Sequence, residues 1–222
     1  MDRAPGAGGR MIPFERAPEP AGFDASVRQP GQRWLAKGDA RSTPGYWRRA
    51  ARDLRAAFKD LCGYTAMWLS TPGTVDHFVS RDEDPSLAYA WTNFRYAAAW
   101  INSSKSALRS DQVLDPFEVG DGWFEIILPS CQMVLTDRCP PEVRDRAQTM
   151  LKRLKLGDGE SVVSFRQEWY RMYCEGELSL EGLARKAPLL ARAVRKQREQ
   201  AAAEPAASDG APRSRPAEAS GA

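Results

Sequence analysis

Residues 198–222 contain no Val, Ile, Leu, Met or aromatic side chain. A segment of that kind cannot bury enough apolar surface to offset the entropy of ordering it, so it reads as a disordered tail. The opposite end is also poor core material. Residues 1–31 hold ten Gly and Pro, which argues against regular structure there. The core must come from what lies between. The chain divides into an extension at 1–10, expected to be disordered, a Pro-rich segment at 11–45, a first unit at 46–117, a second at 118–197 and the tail at 198–222.

Inside those limits the apolar periodicity is readable. Trp47, Ala50, Ala51, Leu54 and Phe58 share one helical face. Residues 64–69 and 74–79 look like two short strands joined by a turn at Thr71-Pro72-Gly73, and 94–109 favours helix. A second hairpin is expected from 123–128 and 132–135 across Pro129-Ser130. The C-terminal third is helical, with one stripe at Val143, Ala147, Met150, Leu151 and Leu154 and another at Val162, Phe165, Trp169 and Tyr173. Ser179 is placed to cap a third helix, and Pro188 to start or kink its continuation. The expected fold class is α+β, with small hairpins inside a mostly helical frame.

Composition excludes several chemistries. The longest uninterrupted apolar run is Tyr96–Ile101, so no membrane span is expected. The first 30 residues lack the apolar core of a secretion signal, which predicts a cytoplasmic chain. Its four cysteines form no Cys-x-x-Cys pair and read as reduced thiols. Net charge is only +3, which permits a basic patch without requiring one. There is a single histidine, His77, and there are two asparagines, Asn93 and Asn102. No multi-histidine metal cage can form.

These three rare residues fall within 26 positions, and their neighbours carry chemistry. Asp76 precedes His77 on an expected strand, where successive side chains point to opposite faces unless the strand ends or bulges. Asn102 lies on the helix expected to follow. An Asp and an Asn offer two hard oxygens, enough to hold one divalent cation that keeps its other positions for water and phosphate. The imidazole is then free to act as general base on water, with an ordinary pKa near 6.5. Lys105 follows three positions after Asn102 and shares its helical face, within reach of a phosphate. Arg81 and Arg95 flank the cluster as further phosphate contacts.

Asp76-His77, Asn93-Phe94, Asn102 nine residues after Asn93, and Lys105 together resemble the HNH nuclease family. That resemblance implies a ββα-metal hairpin-helix core within 46–117. It makes His77 the general base, Asp76 and Asn102 the ligands of one Mg²⁺ or Mn²⁺ ion, and Asn93 a catalytic-site residue bracing the loop that holds the histidine. Many members also carry a structural zinc on two Cys-x-x-Cys pairs. Here the corresponding positions are Cys62, Thr65, Ala98 and Ile101, so no structural zinc is expected. The resemblance extends loosely over 11–197, including Leu114-Asp115-Pro116-Phe117. It implies a bacterial endonuclease acting on nucleic acid, DNA before RNA, of a type found in anti-phage defence operons beside an ATPase partner. Two alternatives stay open: an RNA-cleaving enzyme of the same fold, and a non-catalytic nucleic-acid or protein adaptor that retains it.

Overall fold

The computed structural model describes residues 14–37, 43–106 and 108–203. The expected extension at 1–10 and tail positions 204–222 lie outside the described residues. The architecture is α+β. Among the described residues, two separate two-stranded antiparallel sheets sit among seven α-helices and several short 3-10 turns. No helix among the described residues is long and apolar enough to cross a membrane. All four cysteines are unpaired; Cys62, Cys131 and Cys139 are buried, and Cys174 is exposed.

The Pro-rich segment corrects the first expectation, because Asp24–Leu35 within it is helical. A π-turn at Asp24–Arg28 runs into α1 at Gln29–Leu35. Pro30 has no N–H to donate, and the wide turn places the Gln29 N–H on the Asp24 carbonyl just before it. The Arg28–Asp24 ion pair at 2.9 Å braces the same turn. Gly31 is required here, since a Cβ at that position would lie 2.1 Å from the Tyr89 ring.

A 3-10 turn at Tyr46–Ala50 leads into α2 at Ala51–Ala57, burying Ala50, Leu54 and then Phe58. The strand β1 is Thr74–His77, and its partner β2 is Phe94–Ala97. The expected pairing with 64–69 does not occur. That segment makes only an isolated bridge between Leu61 and Trp68, and Ala66 adopts a positive φ of 52° that breaks any strand. The helix expected from residue 94 begins instead at Ala99, as α3, Ala99–Lys105. In order, then, the unit is strand, long connection, strand, helix.

The second hairpin is β3, Phe124–Ile127, against β4, Gln132–Leu135. Four helices follow: α4 Pro141–Arg153, α5 Glu160–Cys174, α6 Leu180–Lys186 and α7 Pro188–Ala203. Ser179 caps α6 by accepting from the Gly182 N–H at 3.0 Å, and Pro188 opens α7. The tail expected from 198 is helical as far as Ala203. Glutamine and alanine sustain a helix there by propensity, with no burial needed. One continuous cluster of buried side chains joins both units, from Phe14 through Phe58, Tyr96 and Leu114 to Leu190.

Candidate active site

The antiparallel register sets Asp76 opposite Arg95 and His77 opposite Phe94, so the acid and the imidazole point to opposite faces of the β1–β2 sheet. On the acid's face, α3 packs across β1. Its Asn102 Nδ2 donates to Thr74 Oγ1 at 3.0 Å and to the Val75 carbonyl at 3.3 Å. On the other face His77 meets the rings of Trp47 and Phe94 edge-on, at centroid distances of 5.0 and 5.1 Å. No bulge brings the two together. His77 is the last residue of β1, and among the described residues only β2 pairs with this strand. A cavity of about 230 Å³ at this uncovered end is lined by Asp76, His77, Asn102, Lys105, Arg81 and Trp47.

The histidine is held in one tautomer. Its Nε2 lies 2.9 Å from the Ala88 carbonyl, which can only accept, so Nε2 carries the proton and Nδ1 keeps its lone pair. Burial pulls the imidazole pKa down to about 4. The bond to Ala88 opposes that shift, and the charges of Arg81 and Lys105 add to it. The ordinary value near 6.5 is therefore corrected downward, and His77 is neutral at neutral pH.

Asn93 is 4% exposed, and both ends of its amide are used. Oδ1 accepts from the Val79 N–H at 2.8 Å, while Nδ2 donates to the carbonyls of Val79 at 2.9 Å and Leu87 at 3.2 Å. This closes the base of the connection between β1 and β2, the segment whose Ala88 carbonyl fixes His77. Within that connection Glu83 is held by the Ser110 N–H and hydroxyl and by the Ser80 N–H. Burial raises its pKa, but these donors outweigh burial and hold the carboxyl below its usual value. Asp84 accepts from the Ser86 N–H at 2.9 Å and caps a 3-10 turn at Pro85–Leu87.

Asp76 is buried, with Oδ2 receiving the Tyr64 hydroxyl at 2.6 Å and Oδ1 lying 3.3 Å from the Lys105 ammonium. Burial pushes its pKa up, opposed by Lys105 and by the tyrosine bond. Burial also keeps Tyr64 protonated, with a pKa well above 10, so it is a dependable donor. Because Asn102 spends its NH₂ on β1, its amide oxygen is the atom left for a cation. One carboxylate and one amide oxygen form a hard donor set that could hold Mg²⁺ or Mn²⁺ with water completing the shell. Among the described residues no group of three His, Cys, Asp or Glu side chains is placed to hold a metal.

Two of the three expected phosphate contacts need correction. Arg95 is 2% exposed and lies outside the cavity lining. Its guanidinium meets Asp115 at Nε–Oδ1 2.7 Å and donates to the carbonyls of Thr92 and Phe94 at 2.8 Å each. Lys105 lines the cavity, but it is 3% exposed and donates to the carbonyls of His77 and Phe78 at 2.8 and 3.0 Å as well as facing Asp76. In this geometry Arg95 is sealed away from the cavity, and the three Lys105 protons face acceptors inside the fold. Arg81 does sit at the exposed rim, its guanidinium 4.9 Å above the Trp47 ring.

Sequence reasoning missed Tyr64 and Trp47 as site residues. Trp47 read as one more member of an apolar helix face, and nothing in the spacing tied Tyr64 to Asp76. Of the positions that the HNH resemblance compares with zinc ligands, all four are buried, and the Ala98 N–H lies 3.4 Å from Cys62 Sγ.

No family model matches the chain. It is 28% identical over 107 residues to fibrocystin of Canis lupus familiaris, a match that covers 45% of this chain and spans 3% of that protein. So short a share of so long a protein assigns neither a family nor an activity.

Proposed function

We propose that this chain is a metal-dependent HNH-type endonuclease that hydrolyses phosphodiester bonds in DNA. The observation that carries this reading is that His77, Asp76 and Asn102 all line one cavity at the end of β1. The order strand, strand, helix and the Asn93 clamp also support it, since both are features of the HNH arrangement. His77 Nδ1 takes the proton of the attacking water, with the Ala88 carbonyl holding the ring. Asp76 and Asn102 would hold a divalent ion, whose positive charge would supply electrostatic stabilisation to the phosphate and its leaving oxygen. Arg81 contacts the phosphate from the rim. A place in an anti-phage defence system, beside an ATPase that controls the nuclease, follows from the family resemblance alone.

The test is relaxation of supercoiled plasmid by the purified chain with Mg²⁺ or Mn²⁺, and again with EDTA. Metal-dependent nicking is expected, with single- or double-stranded RNA cleaved more slowly. Faster RNA cleavage would shift the substrate to RNA. Binding of nucleic acid without cleavage, by the chain alone and after co-purification with its operon neighbours, would replace the nuclease by an adaptor.

A further inference from the structure

Lys105 is the last residue of a helix, yet it does not reach solvent. Its ammonium has three contacts: the carbonyls of His77 and Phe78, and Oδ1 of Asp76. The two carbonyls come from the end of β1 and the residue after it, so the backbone that presents the imidazole also seats the lysine. A buried carboxylate without a counter-charge is strongly destabilising. Arg95 shares the sheet face with Asp76 and its charge favours the carboxylate from a distance, but its hydrogen bonds go to Asp115, Thr92 and Phe94. Among the described residues Lys105 alone forms an ion pair with Asp76.

The pair has an unusual setting. Asp76 is one of the residues that line the cavity although its side chain is only 2% exposed, and its lysine contact is a single point at 3.3 Å. We infer that Lys105 is the internal counter-ion of Asp76 in the metal-free chain, and that a divalent cation entering the cavity exchanges with it on Oδ1. The inference rests on the proposed role of Asp76 and Asn102 as ligands. It gives the lysine a task that the nuclease reading does not require: it holds the carboxylate ready and sets how tightly the cation binds. The two backbone carbonyls retain the ammonium after exchange, close to the phosphate that the cation would orient. Because ammonium and cation compete for one oxygen, each weakens the hold of the other by the same factor.

The experiment is calorimetric titration with Mn²⁺, plus thermal unfolding in EDTA, on the wild type, Lys105→Met and the double variant Asp76→Asn/Lys105→Met. Lys105→Met is expected to bind Mn²⁺ about tenfold tighter or more, within the usual range for coupled sites. In EDTA it unfolds at lower temperature than the wild type, and the double variant recovers most of that loss. Should Lys105→Met fold only when Mn²⁺ is added, the exchange is supported in the same sense. Equal or weaker Mn²⁺ affinity in Lys105→Met overturns the exchange while leaving the metal site standing. A double variant no more stable than Lys105→Met overturns the counter-ion role. Absence of Mn²⁺ binding in both the wild type and Lys105→Met removes the metal site itself, and the exchange with it.

Discussion

Two buried ion pairs stand on one face of the β1–β2 sheet, and they are built to opposite standards. Arg95–Asp115 is a fork-to-fork contact with further bonds to two carbonyls. The guanidinium is layered between the rings of Phe78 and Phe117, at 5.3 and 4.4 Å, and Asp115 also accepts the Phe117 N–H and an Arg16 donor. Lys105–Asp76 is one contact at 3.3 Å, supplemented by a tyrosine hydroxyl, with a cavity beside it. The planar arginine satisfies its carboxylate in both directions and locks the strand to the Asp-Pro-Phe turn. The lysine is a compact charge with rotatable donors, and such a charge can be replaced by another of its sign. One pair belongs to the fold and the other to the site. The sheet separates the two by a single cross-strand position.

The largest test of that contrast is Arg95→Met, which removes the buried partner of Asp115 and leaves it the half-exposed Arg16 and the Phe117 N–H. A loss of roughly 3–5 kcal/mol in folding free energy is expected from breaking such a pair, read by chemical denaturation. A loss below about 1 kcal/mol would mean the two pairs are alike.

The next test concerns the other face of the sheet. The folded metal-free protein binds the His77 proton with a pKa of about 4, whereas the unfolded chain binds it near 6.5. Between these values the unfolded state holds more protons, so stability falls as pH drops through the window and is fully present above 6.5. The difference corresponds to about 3 kcal/mol. His77→Phe should flatten the curve of stability against pH over that range in EDTA. Asp76, whose pKa is raised, acts with the opposite sign but is common to both proteins. Parallel curves would show that the imidazole is not buried as described.

The smallest expected effect is at the rim. Arg81→Ala should change stability by less than about 0.5 kcal/mol, as exposed substitutions usually do. It should nonetheless weaken cleavage and make it less sensitive to salt. A stability loss comparable to that of Arg95→Met would move Arg81 from the site to the frame.

Much of the frame was legible. The β3–β4 hairpin, the Ser179 cap and the Pro188 start follow from local chemistry and stand where that chemistry puts them. The partner of β1 was not legible. Phe94–Ala97 is buried on both faces, with no alternation in burial, and it leads through Ala97-Ala98-Ala99 into α3, so its helical signal overrode its strand signal. Residues 64–69 were misread for the reverse reason: an apolar run suggested a strand where a positive φ at Ala66 allows none. At the site, the Asp76-His77 pair and the spacing of the two asparagines could be read from the sequence alone. The burial of Arg95 and Lys105 could not. Their partners, Asp115 and the carbonyls at the end of β1, are brought to them only by tertiary packing.

The most direct measurement is the initial rate of plasmid nicking by His77→Ala against the wild type, in the same preparation conditions with Mn²⁺. A base that removes the water proton contributes about 10²–10⁴-fold, and the chain has no other imidazole to substitute for it. A fall of about a hundredfold or more is predicted. A variant that nicks as fast as the wild type would contradict the account.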